Sequence, residues 1–171
     1  MVETVKHNTY AMDLAWNIYC LIHSRWNDLS VREKPLARRQ VEAMVREGGI
    51  RGKSTGLISE AALKTLIALK KGEPIARGAR IATEHPITYR VVSLYALERD
   101  EPLGREEYEQ LWLDALVTTE TTSDENQMLK NSQSVFSYGD CWKQMYEDAG
   151  VKLVSKPSFR TNAVKQQYGL I

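Results

Sequence analysis

A glutamate and a histidine stand side by side at Glu84-His85, directly before Pro86. Further along, Asp124, Glu125 and Asn126 follow a run of threonines and serine. Together these residue types suit hydrolysis of a phosphodiester. That reaction needs a base for the attacking water and a means of stabilising the charge on the reacting oxygens. Histidine titrates near neutrality, so His85 is the candidate base. A hard divalent cation, Mg²⁺ or Mn²⁺, asks for a few oxygen ligands and keeps several waters. Glu84 and the amide oxygen of Asn126 are the candidate metal ligands, with Glu125 and Asn131 as alternates. Neighbours on an extended strand point to opposite faces. Glu84 and His85 therefore serve one site only if the chain turns between them, which Pro86 favours.

The elements that must position these groups are mostly helical. Residues 9–28 repeat apolar side chains at spacings of three and four (Met12, Trp16, Tyr19), which predicts a helix with a core-facing stripe. A second helix over 30–47 forms best after Pro35 and ends at Gly48-Gly49. A third covers 57–71, with Ser59 as its cap and Lys70-Lys71-Gly72 as its end. Residues 72–80 read as an exposed connection. Residues 87–97 fit either a strand, by β-propensity, or a helix whose face is Val91, Leu94, Tyr95 and Leu97. Gly104 precedes an acidic helix start that runs to residue 116. Val117-Thr118-Thr119 reads as a short strand, and Ser123 with Asn126 as the start of a helix. Residues 131–139 read as a polar linker, 140–150 as a short helix closed by Gly150, and 155–171 as a basic, loosely packed tail.

Composition bounds the class. The chain has 171 residues, 43% hydrophobic and 26% charged, with a net charge of +1. That fits one globular domain, with a helical lobe over 1–72, a core over 73–154 carrying the site, and the tail. The apolar runs are too short for a membrane span, and the N-terminal residues lack a basic-then-apolar leader, so a cytoplasmic protein is expected. Cys20 and Cys141, with three histidines, do not have the spacing of a zinc ribbon or finger. Charge is unevenly spread. Residues 46–80 carry eight basic side chains against three acids, and 152–171 carry four with no acid. Residues 98–125 carry ten acids against two arginines. Basic stretches flanking an acidic one suit phosphate contacts beside a metal-collecting region, with Lys53, Arg77 and Arg80 approaching the nucleic-acid backbone. The loop 48–56 ends in Gly52-Lys53-Ser54, but it is one residue short of a phosphate-binding loop and no predicted strand precedes it, which excludes a nucleotide triphosphatase.

Glu84-His85-Pro86, then an apolar element, then L-V-T-T-x-x-T-x-x-E-N-x-x-L over 116–129 resembles the HNH, or His-Me finger, nuclease superfamily. The resemblance covers less than half of the chain and rests on three polar positions. It implies a ββα-metal-like site in which Glu84 and His85 end a strand and Asn126 faces the ion from a helix. A long insertion over 98–116 accommodates the wide spacing. The expected architecture is mainly α with a small β element, an α+β domain around that site. The expected activity is metal-dependent DNA cleavage, with RNA as an alternative substrate and a two-fold dimer as a way to cut both strands. Two other readings stand beside it. One is a non-catalytic nucleic-acid-binding module using residues 46–80, with helices 36–47 and 57–71 as a helix-turn-helix-like pair. The other is a structural protein that meets its partner through the acidic helix 105–116.

Overall fold

The computed structural model describes residues 9–47 and 53–171. In chain order the elements are α1 (Thr9–His23), α2 (Lys34–Glu47), β1 (Ser54–Ser59), α3 (Glu60–Lys71), β2 (Ile81–Glu84), α4 (Tyr89–Leu97) and α5 (Arg105–Ala115). They continue with β3 (Thr118–Thr122), α6 (Ser123–Val135), α7 (Trp142–Asp148), β4 (Leu153–Ser155) and α8 (Asn162–Gln167). Helix predominates and the four strands form one small mixed sheet, an α+β arrangement. No described helix is long and apolar enough to cross a membrane. Both cysteines are free thiols.

The chain divides into two compact units, each built from two segments. The division falls after Lys53, after Pro86 and after Val117, so α4 and α5 interrupt the sheet unit in sequence. The helical unit comprises the described residues up to Lys53 together with residues 87–117. Its core is the apolar stripe of each helix, with Met12, Tyr19, Val41, Val45, Val92, Leu97, Tyr108 and Trp112 all buried. Tyr19 stacks on Tyr108 with ring centroids 4.7 Å apart. Its buried hydroxyl accepts from Leu103 N (2.8 Å) and donates to Ala96 O (3.1 Å), which meets the requirement that a buried phenol be hydrogen-bonded. Glu42 is likewise buried, and Arg38 and the Ser93 hydroxyl satisfy it. The stretch 87–97, open between strand and helix in the sequence, is helical from Tyr89 because the Thr88 hydroxyl accepts from Val91 N.

The sheet unit comprises 54–86 and 118–171. Its strand order is β2-β3-β1-β4. The central pair β1 and β3 is parallel, and the edges β2 and β4 run antiparallel to their neighbours. Within this unit the chain runs β1-α3-β2-β3-α6-α7-β4. Strand β1 replaces the loop expected at 53–56 and the first turns of the helix expected from 57. In sequence it also stands between α2 and α3, which lie in different units. The rest of the basic loop, 48–52, lies outside the described residues. Helix α6 runs on to Val135 through half of the segment expected as a linker, because Leu129 is buried in a cluster with Met145, Tyr146 and Val151. The tail, expected to be loosely packed, carries α8, capped by Thr161.

Both parallel strands pass directly into helices, and one side chain ties the two junctions together. Ser59 caps α3 through Ala62 N (3.0 Å) and donates to Glu125 Oε2 (2.5 Å). Thr122 caps α6, and its backbone N–H (2.8 Å) and hydroxyl (3.0 Å) both donate to the same Glu125 oxygen. The sequence placed this cap at Ser123 with Asn126; the T-x-x-E capping box one residue earlier takes the role instead. Removing the carboxylate leaves the Ser59 and Thr122 donors short of their acceptor. Glu125→Ala is expected to lower unfolding stability by about 2 kcal/mol, with Glu125→Gln intermediate, as read from urea titrations.

Candidate functional site

Glu84 is the last residue of β2, opposite Thr119 in the antiparallel pairing with β3. Its side chain is only 5% exposed. A carboxylate removed from water needs donors at both oxygens. Gln133 of α6 donates to Oε1 and Tyr146 of α7 donates to Oε2. The Gln133 amide also reaches the main-chain oxygen of His85 at 3.4 Å. The next strand positions continue the polar row across the sheet. Thr119 and Thr55 share a hydroxyl–hydroxyl bond of 3.0 Å, and Thr55 Oγ1 also donates to Thr118 O at 3.1 Å. Pro86 is buried and His85 is half-buried. Burial pushes the Glu84 carboxyl above its ordinary range, against the opposing pull of Tyr146, Gln133 and the charge of His85. Burial likewise raises the Tyr146 phenol far above its ordinary value, and the Glu84 charge adds to that.

Arg77, Arg80 and the start of α6 meet at the opposite end of β2. Ile81, the first residue of that strand, pairs with Thr122, the residue before α6. The Ser123 backbone N–H (2.8 Å) and hydroxyl (3.2 Å) donate to Arg80 O. Arg77, Arg80, Ser123 and Asp124 line a polar cleft of about 420 Å³ there, and both arginines are exposed. Gly78 lets the chain approach this closely, since a Cβ on it would stand 2.0 Å from an Asp124 carboxylate oxygen. Arg80 and His85 are five positions apart with β2 between them, about 16 Å of strand. Lys53 is exposed immediately before β1.

Asn126 belongs to the arginine end. It is half-buried in the first turns of α6, seven residues before Gln133, or about 10 Å along the helix axis. Helix α6 therefore brings Gln133, and not Asn126, to Glu84. The alternates fare no better as ligands: Glu125 is taken up by its cap, and Asn131 is exposed near the end of the helix. A divalent ion held between Glu84 and Asn126 does not fit this arrangement. The two are separated along the helix, and both Glu84 oxygens already accept bonds from inside the protein. Among the described residues no three His, Cys, Asp or Glu side chains come together. Gln133 and Tyr146 were not singled out from sequence. Both sit on ordinary helix stripes, and only the fold brings them to a strand 49 and 62 residues away.

No protein-family model matches the chain, and no curated protein or solved structure is significantly similar to it.

The raised carboxyl predicts a pH signature. Below the 4.5 of an exposed glutamate, folded and unfolded chains both carry the proton. As pH rises the unfolded chain releases it first, so the Glu84 contribution to stability is lost up to its folded-state titration. In Glu84→Gln that loss disappears. Urea titrations at rising pH above 4.5 should show the stability difference moving in favour of the variant until Glu84 has titrated in the folded chain. A difference independent of pH would mean that Glu84 titrates as an exposed carboxyl does.

Proposed function

We propose that the chain is an HNH-like endonuclease that hydrolyses phosphodiester bonds in DNA, with His85 as the general base. The observation that carries the reading is the order β2-β3-α6. Strand β2 ends in Glu84-His85 and pairs antiparallel with β3, and β3 passes directly into a helix that packs on both strands. Gln133 returns from that helix to grip Glu84 and the His85 carbonyl, which fixes the backbone where the histidine leaves the strand. In the proposed reaction the His85 imidazole takes a proton from water as the water oxygen attacks phosphorus. The bond from phosphorus to the sugar oxygen breaks as the new one forms, and that oxygen leaves with the bonding pair and takes a proton from solvent. Glu84 acts as an internal anchor for α6 and α7. No step is assigned to Mg²⁺ or Mn²⁺, because the Glu84–Asn126 pair does not form a site for either. Arg77, Arg80 and Lys53 are exposed cations that would hold backbone phosphates.

The full use of Glu84 inside the protein also favours a second reading, a nucleic-acid-binding module without catalysis. One assay separates the two. Supercoiled plasmid is incubated with purified protein in Mg²⁺, Mn²⁺ or EDTA, beside His85→Ala. The nuclease reading expects nicking that falls by about 10²–10⁴-fold in the variant. Nicking that survives in His85→Ala places the base elsewhere. DNA binding by both proteins, with cutting by neither, gives the binding-module reading the field.

A further inference from the structure

We infer that the end of α3 and the segment after β4 form one surface that docks the phosphodiester backbone of a nucleic acid. Two basic stretches far apart in sequence meet there. Lys70 Nζ lies 5.0 Å from the centroid of the Phe159 ring. Phe159 packs edge-on against Tyr168, with centroids 5.4 Å apart at 68°. A Cβ on Gly169 would stand 3.6 Å from Lys71 Nζ, so the last turn of the chain lies against the end of α3. Arg160 is next to Phe159 in sequence, and Lys165 lies one turn before Tyr168 in α8.

The four cations share a feature that their neighbours lack. Lys152 and Lys156, in the same segment, are paired with Glu60 and Glu120. No ion pair among the described residues involves Lys70, Lys71, Arg160 or Lys165. Glu60 is occupied by Lys152, and Glu73, exposed just past Gly72, makes no ion pair. Cations free of ion pairs are open to a polyanion, which releases its own condensed counterions as it binds. The Phe159–Tyr168 pair ties the segment together, Lys70 is held over the Phe159 ring, and Arg160 is exposed beside that ring in sequence while Lys165 is half-buried. The chemistry favours nucleic acid over an anionic bilayer, because the exposed positions of α8 are Asn162, Ala163, Gln166 and Gln167, and a membrane-surface helix would expose apolar bulk.

The inference deepens the nuclease reading by giving the substrate a hold away from His85, but it is tested by binding. Fluorescence anisotropy in EDTA, with a labelled duplex of about 20 base pairs, measures affinity against salt. Changing Lys70, Lys71, Arg160 and Lys165 together to Glu should weaken binding by at least about 100-fold and make the salt slope shallower by about 3. The same four positions as Gln should show a smaller loss, and circular dichroism with a thermal melt establishes that each variant is folded. Arg160→Glu alone, at an exposed site, should weaken binding several-fold if the quadruple variant does not fold. Affinity within about two-fold of wild type in the folded variants would overturn the inference. So would failure of the wild type to bind at low salt, or its binding to phosphatidylserine vesicles but not to DNA. If the wild type binds through this face and nicks nothing, the nuclease reading fails and the docking surface stands.

Discussion

The sheet unit depends on keeping one carboxylate out of water. Glu84 is nearly inaccessible, and its donors come from two different helices, Gln133 on α6 and Tyr146 on α7. Leaving either oxygen unpaired would cost about 1–3 kcal/mol or more for a charged group, so the two helices cannot drift independently over the sheet. Their apolar faces close around the same point, where Leu129, Met145, Tyr146 and Val151 form one buried cluster. From there the chain is returned to the sheet. Val151 N bonds to Tyr146 O at 2.8 Å, Gly150 takes the left-handed conformation with φ 74°, and β4 then pairs with β1. A polar contact on one edge strand thereby fixes the path of the chain to the other edge.

Two glutamates of the same unit are held in different surroundings. Glu125 stands in the first turn of α6, where backbone N–H groups and the helix dipole favour a negative charge, and three donor contacts reach one of its oxygens. At Glu84 desolvation outweighs the hydrogen bonds. One charge secures the junctions β1-α3 and β3-α6. The other secures the far end of β2. The sheet between them is short, and its central parallel pair is irregular in register, so these end contacts carry much of the definition that a longer ladder would supply.

What could be read from the sequence was what local chemistry decides. The cap at Ser59, the stop at Gly72, the acidic start after Gly104 and the closure at Gly150 each follow from a residue and its near neighbours. Strand β1 could not be read that way. S-T-G-L-I-S is half polar and contains a glycine, and it becomes a strand because β3 and β4 pair with it from 60 or more residues away. The adjacency of Glu84 and His85 was visible, as was their place at the end of an extended element. Their partners were not, because Gln133 and Tyr146 look like any helical residues until α6 and α7 fold back. Asn126 was chosen on the pattern E-N at a helix start. The helix start lies at the wrong end of β2, and only the antiparallel register of β2 with β3 reveals it.

That register also constrains any reaction at His85. The arginines predicted to meet phosphate line the cleft at the start of α6, about 16 Å of strand from the histidine. A guanidinium at that distance does not touch an oxygen on the phosphorus under attack, so Arg77 and Arg80 are not the groups that would stabilise the transition state. At 3.4 Å of axis per nucleotide along a strand, the separation corresponds to about five nucleotides. The two ends of β2 would therefore hold different parts of one substrate. Binding at the arginine end would determine how far from the held phosphates the bond facing His85 lies, and charge stabilisation at the cleaved bond must come from groups gathered around His85 itself.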